Sequence, residues 1–214
     1  MPKQVVIVGA GRQGRNVAEI LEVSPATFPI AGFLDDGKAF GEVVLAWPVL
    51  GSLDRLDDPA FVDHHAWFVA LGANDLRQRI GRRLRDADAT IVNAIHPNTD
   101  VSPHAEIGVG IYMAAYAHVG SGSQVGDWAL LEGSSFIGSD AVVGTAASLG
   151  PTCVLTGGAS VGDLSAIGAG TVIVNGIRVG SGAIVAANAA VVRDVPDGAR
   201  VQGVPARIVP LSPD

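Results

Sequence analysis

A large apolar side chain recurs at every sixth position throughout the second half of the chain. The run begins at Val101 and keeps its register through sixteen hexads to Val191. A helix repeats every 3.6 residues or so and a strand every two, so a period of six describes neither element alone. Three flat sides of six residues make one triangular coil of about 18 residues, with the apolar side chains stacked inside. The pattern predicts a parallel β-helix of about five coils.

Two further positions of the hexad are occupied mostly by small residues. Glycine follows the apolar residue in nine hexads, and the fifth position is Ala, Ser, Thr or Cys in most of them. We expect the fifth residue to fill the space beside the apolar stack. We expect the glycine to form the tight corner, where a Cβ would be opposed. Cys153 occupies a fifth position and is therefore expected to be buried filler rather than a nucleophile.

The first half of the chain has a different pattern, that of alternating strands and helices. Continuous apolar runs predict strands of a small parallel sheet at 4–8, 30–34, 66–71 and 90–95. Helical spacing of apolar residues predicts helices at 13–21 and 75–85. The pattern changes at His96-Pro97. We therefore expect a half-Rossmann-like α/β domain at 1–96, a β-helix at 97–196 and a closing segment at 197–214.

Charge and composition limit the classes of function. Lys and Arg number 14 against 21 Asp and Glu, and the net charge of −7 disfavours a nucleic-acid partner. With a single cysteine the chain cannot form an internal disulfide. The N-terminal apolar run is short and is followed at once by glycine and charge, so neither a signal peptide nor a membrane span is expected. We expect a cytoplasmic protein without a membrane partner.

A glycine-rich loop follows the first predicted strand and opens the first predicted helix. Its sequence, Gly9-Ala10-Gly11-Arg12-Gln13-Gly14, has the GxGxxG spacing that places phosphates at a helix N-terminus. Two carboxylates follow about 20 residues later, where a ribose hydroxyl is the usual partner. The pattern predicts a nucleotide-diphosphate ligand, and the candidate binding residues are Gly9, Gly11, Asp35, Asp36 and Asn74.

Other interpretations of this loop stay open. NAD would use the same glycines, but residues 1–96 supply only about half of a doubly wound dinucleotide domain. A plain glycine turn would serve only to pack the helix onto the strand. Asn74 follows the third long strand and fits a position near a helix N-cap equally well.

The hexads in which glycine follows Leu, Ile or Val resemble those of hexapeptide-repeat acyltransferases. Over nearly its full length the chain resembles one group of them, the sialic-acid O-acetyltransferases and the bacillosamine and perosamine N-acetyltransferases. The matching segments keep their order: VVIVGAGRQGRNV, LDD, LGANDLRQRIGRRL, NAIHP, VSP, VGD, LGP, TGGASVG and VVRDVPDGARVQGVPARI. The resemblance implies a left-handed β-helix, a homotrimer, acetyl-CoA between adjacent β-helices, and a nucleotide-linked amino sugar held mainly by the N-terminal domain.

The active-site motif of that group is where this chain departs from it. The group has an Asn, then a His with an acidic neighbour, and later a second His; the corresponding residues are Glu132, Ser139, Asp140 and Ser148. Gln13 stands where relatives often carry a His in the glycine loop, and the resemblance makes it a candidate substrate-binding residue. The imidazole that would accept a proton from the attacking amine or hydroxyl is missing, so Asp140 has no imidazole beside it to orient.

Several groups are candidates for handling the proton instead. Glu132 and Asp140 are candidate carboxylate bases, since a carboxylate in a desolvated pocket is adequate for an ammonium group. Ser139 is a candidate nucleophile, although no base is adjacent to it in sequence. His118 lies one coil and His104 almost two coils before Ser139, so within one subunit neither replaces the base. A neighbouring subunit could bring either histidine close.

The resemblance also implies how CoA is bound. Backbone groups of the later coils that bind pantetheine correspond to Gly157, Ala169 and Ala187, each small enough for a slim chain to pass. Arg207 in the closing segment would either meet a CoA phosphate or be a solvated charge. No metal site is expected, because the neighbouring pair His64-His65 lacks ligand spacing.

These residues support two main functional hypotheses. The first is an acyl-CoA-dependent transferase, acetyl being the expected group, that acts on a nucleotide-linked amino sugar with a non-standard active site. The second is a relative with altered or lost catalysis that keeps its pockets and binds a nucleotide sugar or CoA; the missing histidines favour it. A nicotinamide-dependent enzyme that uses GAGRQG is a third and weaker alternative.

Overall fold

The computed structural model of the chain describes residues 3–24 and 28–210. It divides into two compact units, Met1–Pro97 and Asn98–Asp214. Residues 211–214 of the predicted closing segment, together with residues 1–2 and 25–27 of the predicted α/β domain, lie outside the described residues.

The N-terminal unit is a parallel sheet with helices between its strands. Its elements in chain order are β1 (Val5–Val8), α1 (Arg12–Val23), β2 (Ile30–Leu34), β3 (Val43–Val44), β4 (Trp47–Pro48), a 3-10 turn (Leu53–Asp57), α2 (Pro59–His64), β5 (Ala66–Val69), α3 (Asn74–Asp86), β6 (Thr90–Ile91) and β7 (Ala94–Ile95). Strand β1 lies between β2 and β5, and β5 pairs with β6, all in parallel. The predicted small parallel sheet is confirmed, and the carboxyl ends of β1, β2 and β5 meet at one edge.

The centre of this sheet is apolar on both sides. Every residue of β1 and β5 is buried, as their continuous apolar sequences predict. On one side Trp67 packs with Ile80 and Leu84 of α3. The indole N–H of Trp67 donates to the Val62 carbonyl at 2.9 Å, so the polar atom of this buried ring is satisfied. Helix α3 is thereby fixed against the sheet, close to the edge where the strands end.

Parts of this unit depart from the sequence prediction. The strand predicted at 66–71 ends at Val69, and the run at 90–95 is divided between β6 and β7. The β3–β4 hairpin and α2 lie where the apolar pattern predicts no element. Helix α2 is nevertheless encoded locally, since the Asp58 carboxylate accepts hydrogen bonds from the amides of Ala60 and Phe61, and Pro59 occupies the first helical position.

The second unit is a left-handed parallel β-helix with three flat faces. Its strands in chain order are β8 (Asp100–Val101), β9 (Glu106–Ile107), β10 (Tyr112–Met113), β11 (His118–Val119), β12 (Gln124–Val125), β13 (Leu130–Leu131), β14 (Phe136–Ile137), β15 (Val142–Val143), β16 (Ser148–Leu149), β17 (Val154–Leu155), β18 (Ser160–Val161), β19 (Ala166–Ile167), β20 (Val172–Ile173), β21 (Arg178–Val179), β22 (Ile184–Val185), β23 (Ala190–Val191), β24 (Arg200–Gln202) and β25 (Arg207–Val209).

Every third strand lies on the same face, and each face is named for an exposed apolar residue on it. The Phe136 face consists of strands β8, β11, β14, β17, β20 and β23, and the Val142 face consists of β9, β12, β15, β18 and β21. The Ile184 face contains β10, β13, β16, β19 and β22, and it is extended by β24, which is parallel to β22, and by β25, which is antiparallel to β24. The predicted coil of three hexads is confirmed.

Successive coils are related by a shift of 18 residues, so that His118 pairs with Phe136 and Phe136 with Val154. The second residue of each strand is the apolar residue of the hexad and points inward; Val119, Ile137 and Leu155 are fully buried. The first residue of each strand points outward. A strand therefore contributes one residue to the core and one to the outer surface of its face.

The glycine at the second hexad position has a different role from the predicted one. These glycines do not have positive φ; they lie where the backbone of the next coil approaches most closely. A Cβ on Gly162 would lie 2.5 Å from the Ser181 amide nitrogen, and one on Gly138 would lie 2.8 Å from the Gly157 amide nitrogen. The expectation that they form the tight corner is wrong, because the spacing between coils is what requires them.

The corner is made two residues later, at the fourth hexad position. This residue has positive φ in every hexad from Gly110 to Asn188. Asp140 has a φ of 58°, which aspartate tolerates, but Ala146 adopts a φ of 54° without that advantage. The amide of Ala146 donates to the Asp127 carbonyl of the preceding coil at 2.8 Å. Hydrogen bonds between coils thus hold the left-handed corner even where the residue does not favour it.

Most residues at the fifth hexad position are buried as predicted, Ala105 and Ile177 being half-buried, and some also tie the coils together. The Ser123 hydroxyl donates to the Gly138 carbonyl at 2.9 Å, and the Ser165 hydroxyl donates to the Gly180 carbonyl at 2.7 Å. Cys153 is confirmed as buried filler, and its thiol donates to the Gly168 carbonyl at 3.0 Å.

Replacing Gly162 by alanine tests the close approach between coils. We expect Gly162→Ala to lower the free energy of unfolding by roughly 1–3 kcal/mol, because the new Cβ would force two coils apart. Gly133→Ala is the matched control, since its Cβ would lie 3.5 Å from the nearest atom, the Ala115 carbonyl oxygen. Urea unfolding followed by circular dichroism measures both. Equal unfolding midpoints for the two variants would contradict the spacing argument.

Candidate active site

A cleft opens at the carboxyl edge of the N-terminal sheet, beside the first turn of α1. Its volume is 320 Å³, and it is lined by Gly9, Gly11, Arg12, Gln13, Asp35, Ala70, Leu71 and Gly72. Four of the predicted substrate-binding residues are among these eight. The order of the strands explains the position, because β1 has neighbours on both sides and the chain leaves it between them.

The glycines of the loop have separate structural reasons. Gly9 has a φ of 100°, and a Cβ there would lie 2.8 Å from the Ala70 carbonyl oxygen. A Cβ on Gly14 would overlap the Gly9 carbonyl, so Gly14 lets α1 pack directly on the loop. A Cβ on Gly11 would meet no atom within 4 Å. Gly11 is the N-cap of α1 and no side chain caps the helix, so its first amides face the open cleft.

The carboxylates predicted to bind the ligand lie in two different places. One oxygen of Asp35 accepts from the Ala10 amide at 2.8 Å and the other accepts from the Gly37 amide at 2.9 Å, so Asp35 braces the glycine loop at the cleft. The Asp36 carboxylate accepts from the Leu53 amide at 2.8 Å and does not line the cleft. Asn74 is the first residue of α3, and its side-chain oxygen accepts from Arg77 at 2.9 Å.

Arg77 belongs to this site, although the sequence pattern does not single it out. Its side chain is fully buried, and its guanidinium donates to the Leu71 carbonyl at 2.8 Å and to Asn74. Burial lowers the pKa of Arg77 to about 10, so the group is a cation at neutral pH. It holds a positive charge directly behind the Leu71 wall of the cleft. The only signal in the sequence is the helical spacing, which puts Arg77 on the inner side of α3, one turn before Ile80 and Gly81.

In the β-helix, the corner that follows the Phe136 face brings three candidate residues together. The Ser139 carbonyl accepts from the Gly158 amide at 2.9 Å, which sets Gly157 one coil above Ser139. Asp140 follows at the same corner, and its amide donates to the Ser121 carbonyl of the coil below at 2.9 Å. Gly122 leaves room for the Asp140 carboxylate, since a Cβ there would overlap it.

The corner that precedes the Phe136 face carries the other candidates. Glu132 lies there after β13, and Ala169 and Ala187 lie there two and three coils later, after β19 and β22. Gly150, on the coil between Glu132 and Ala169, leaves room for the Ala169 backbone, because its Cβ would lie 2.7 Å from that amide nitrogen. Glu132 and Asp140 are therefore at opposite edges of one face and do not form a carboxylate pair. Arg207, on the edge strand β25, is exposed and its guanidinium donates to the Ala206 carbonyl at 2.9 Å.

The Phe136 face itself carries a hydrogen-bonded histidine and aspartate between the two corners. His118 Nδ1 lies 2.8 Å from an Asp100 carboxylate oxygen, one coil below it. The imidazole stacks on the Phe136 ring of the coil above, with centroids 4.7 Å apart and an angle of 12°. Asp100, His118 and Phe136 are 18 residues apart in the sequence, so the repeat of 18 alone predicts that they are neighbours on one face. His104 lies outside this group, at the corner after β8, where its carbonyl accepts from Gly122.

A larger groove of 400 Å³ lies along the Val142 face and contains none of the predicted site residues. Within residues 3–24 and 28–210, no three His, Cys, Asp or Glu side chains are grouped so as to hold a metal ion. No helix in that part of the chain combines the length and apolar character that a transmembrane helix needs.

Cys153 is expected to be unreactive in the folded protein. Burial raises its pKa to about 11, so at pH 8 only roughly one thiol in a thousand is the reactive thiolate. Ellman's reagent should leave the native protein unlabelled and should label one thiol per chain after unfolding in guanidinium. Rapid labelling of the native protein would contradict the buried position. Because native Cys153 is not expected to react with the reagent, thiol release from CoA can be measured without a background from the protein.

Comparison with known proteins relates both units to one group of proteins. Residues 4–84 match the family described as the PglD N-terminal domain. No curated protein sequence matches the chain significantly. Among solved structures, a histidine-to-asparagine variant of perosamine N-acetyltransferase from Caulobacter crescentus, in complex with CoA and GDP-perosamine, is 36% identical with a TM-score of 0.91. The alignment covers 97% of each chain.

Two further structures match over the whole chain. The acetyltransferase domain of PglB from Neisseria gonorrhoeae, in complex with acetyl coenzyme A, is 31% identical with a TM-score of 0.90; the match covers 98% of this chain and 100% of that one. WeeI from Acinetobacter baumannii is 28% identical with a TM-score of 0.84, over 97% of this chain and 100% of that one. The likeness therefore includes the α/β unit and the β-helix together.

Proposed function

Since the chain belongs to the hexapeptide-repeat sugar N-acetyltransferases, we propose that it transfers an acetyl group from acetyl-CoA to the amino group of a nucleotide-linked sugar. The observation that carries the proposal is the glycine-lined cleft at the α1 N-terminus in a chain that matches an enzyme–CoA–GDP-perosamine complex along 97% of its length. The cleft supplies the place for the nucleotide, and the β-helix supplies the place for CoA.

The N-terminal cleft suits a nucleoside diphosphate. The uncapped amides of α1 attract phosphate oxygens, and Gly11 presents no side chain to keep them away. The buried Arg77 cation adds positive potential behind the wall of the cleft. Asp35 keeps the glycine loop in shape, and Gln13 offers an amide on the cleft surface.

The two edges of the Phe136 face suit the acetyl donor. Gly157 on one edge and Ala169 and Ala187 on the other carry little or no side chain, so extended pantetheine can approach their backbone groups. Arg207 is exposed near the end of the β-helix and is our candidate for a CoA phosphate. Exposed apolar residues on all three faces, such as Phe136, Val142 and Ile184, support a homotrimer in which β-helices pack side by side.

The reaction is an aminolysis of a thioester. The sugar amine nitrogen attacks the acetyl carbonyl carbon, a C–N bond forms, and the C–S bond breaks to release CoA. One proton leaves the nitrogen and one reaches the sulfur, so a group that accepts and returns a proton accelerates the step. The Ser139 hydroxyl is a poor base at neutral pH, whereas Asp140 and Glu132 lie at the two edges of the face and are candidate bases for an ammonium group. We assign the protein to the cytoplasm, where acetyl-CoA and nucleotide sugars are made.

A second candidate function is binding without transfer. The residue in register with the catalytic histidine of the group is Ser139, so this chain lacks the imidazole at that position. A relative that kept both pockets and lost the base would bind a nucleotide sugar or CoA and release no thiol.

Thiol release separates these two functions. The purified protein is mixed with acetyl-CoA and a panel of UDP-, dTDP- and GDP-linked amino sugars, and free CoA is measured with Ellman's reagent. We expect release only when donor and amino sugar are both present. A wild type without release, combined with release by Ser139→His but not by Ser139→Asn, would establish the binding function and overturn the transferase.

A charge at Gly11 tests the nucleotide cleft. We expect Gly11→Asp to raise the KM for the nucleotide sugar at least about tenfold, because a carboxylate at the α1 N-terminus repels phosphate. The fold should tolerate the change, since the position is open and Asp is a favoured N-cap residue. Gly11→Asn has the same shape without the charge and should change the KM much less. Equal KM values for the two variants would contradict the proposal that the phosphates of the nucleotide sugar bind in this cleft.

A further inference from the structure

We propose that His118 is the general base of the acetyl transfer and that Asp100 positions it. This inference rests on the proposed function and names the group that takes over from the imidazole absent at Ser139. It departs from the expectation from the sequence that His118 does not replace the base within one subunit, because the contacts of His118 with Asp100 and Phe136 are seen only in the structure. Asp100, His118 and Phe136 form a column on three successive coils of the Phe136 face, between the two corners that carry the candidate catalytic and CoA-binding residues.

The contacts of His118 fix both its tautomer and its orientation. The Asp100 carboxylate can only accept at neutral pH, so Nδ1 of the imidazole is the donor in their 2.8 Å hydrogen bond. The lone pair of the neutral ring is then on Nε2, which is the nitrogen that accepts a proton. Stacking on Phe136 at 4.7 Å holds the ring plane. An imidazole held by a carboxylate in this way is the arrangement that a general base needs.

His118 lies on the coil below the corner at Ser139. Gly120 lies two residues after His118, and a Cβ on Gly120 would lie 2.8 Å from the Ser139 amide nitrogen. Ser139 is three residues beyond the residue that pairs with His118, so with about 3.3 Å per residue along a strand and about 4.8 Å between coils the Cα atoms of His118 and Ser139 are roughly 11 Å apart. At that separation the imidazole can serve an amine bound over the face between His118 and Ser139.

The surface between His118 and Ser139 is formed by glycine backbone. Gly120 and Gly138 form the floor of this gap on adjacent coils, and neither carries a Cβ. Among the described outward residues of the face, His118 is the one imidazole. Asp140 does not extend over this floor, because its carboxylate lies over Gly122 around the corner. His118 is therefore better placed than either carboxylate to serve an amine at the centre of the face.

The proposed step moves one acetyl group and one proton. The sugar nitrogen forms its bond to the acetyl carbonyl carbon while Nε2 of His118 accepts the proton from that nitrogen. The C–S bond then breaks, and the imidazolium returns the proton to the departing sulfur, so that CoA leaves as the free thiol. Asp100 keeps its negative charge throughout and stabilises the imidazolium. His118 ends neutral and ready for the next cycle.

Four variants test the assignment in the thiol-release assay: His118→Ala, Gln124→Ala, Asp100→Asn and His104→Ala. We expect His118→Ala to lower kcat by about 10²- to 10⁴-fold with little change in either KM, since this is the contribution of a general base. Gln124→Ala, which truncates an outward strand residue on the next face of the same coil, should keep the wild-type rate. Thermal melting and calorimetric binding of CoA should be the same in all variants, which separates lost chemistry from lost folding.

Asp100→Asn adds a readout that a structural role would not move. Asparagine keeps the size of the Asp100 side chain but removes the charge beside the imidazole. We expect this variant to lower kcat while both KM values, the melting temperature and CoA binding stay at the wild-type values.

The outcomes distinguish this inference from the proposed function. Wild-type turnover that persists in His118→Ala, or that is lost in His104→Ala alone, would overturn the assignment of the base and leave the transferase intact. A wild type that binds CoA and a nucleotide amino sugar yet releases no thiol would overturn the transferase, and the assignment with it. Loss in His118→Ala together with a wild-type kcat in Asp100→Asn would overturn the role of Asp100.

Discussion

The spacing of one coil on the next is the constraint on which the β-helix depends. Backbone hydrogen bonds such as those from the Gly120 amide to Ile137 and from the Gly138 amide to Leu155, at 2.8 and 2.7 Å, draw successive coils together at each face. At that distance no Cβ fits at the second hexad position, and the corner two residues later must be left-handed even in Ala146. The apolar stack inside then fills a prism whose walls are already set.

This geometry also determines how chemistry can be arranged on the surface. Residues that differ by 18 share a face, so Asp100, His118 and Phe136 become neighbours although the chain goes fully around between them. A catalytic group therefore need not stay at one position in the sequence. His118 lies on the coil before Ser139 and still faces the same gap, which is how this chain could keep acetyl transfer without the usual histidine.

The sequence predicts the β-helix well because one physical rule, an inward apolar residue every sixth position, is repeated sixteen times. The N-terminal cleft could also be predicted from the sequence, since Gly9, Gly11 and Asp35 follow strands whose order the βαβ pattern implies. Other features depend on tertiary contacts that spacing does not encode. The spacing puts Arg77 on the inner side of α3 but does not show its hydrogen bonds to Leu71 and Asn74. The sequence likewise makes Asp36 a candidate ligand, whereas its carboxylate accepts from the Leu53 amide. Whether Glu132, Ser139 and Asp140 act in catalysis stays a prediction.

The 18-residue repeat has a consequence for how chains of this kind can change in length. Deleting or duplicating one complete coil would leave every remaining inward residue inward and every face continuous. An insertion of one residue within a strand would turn Val119 or Ile137 outward and break the register of every later coil. Viable length changes in the β-helix should therefore come in whole coils or be confined to loops that bulge from its corners, where no stacked neighbour is displaced.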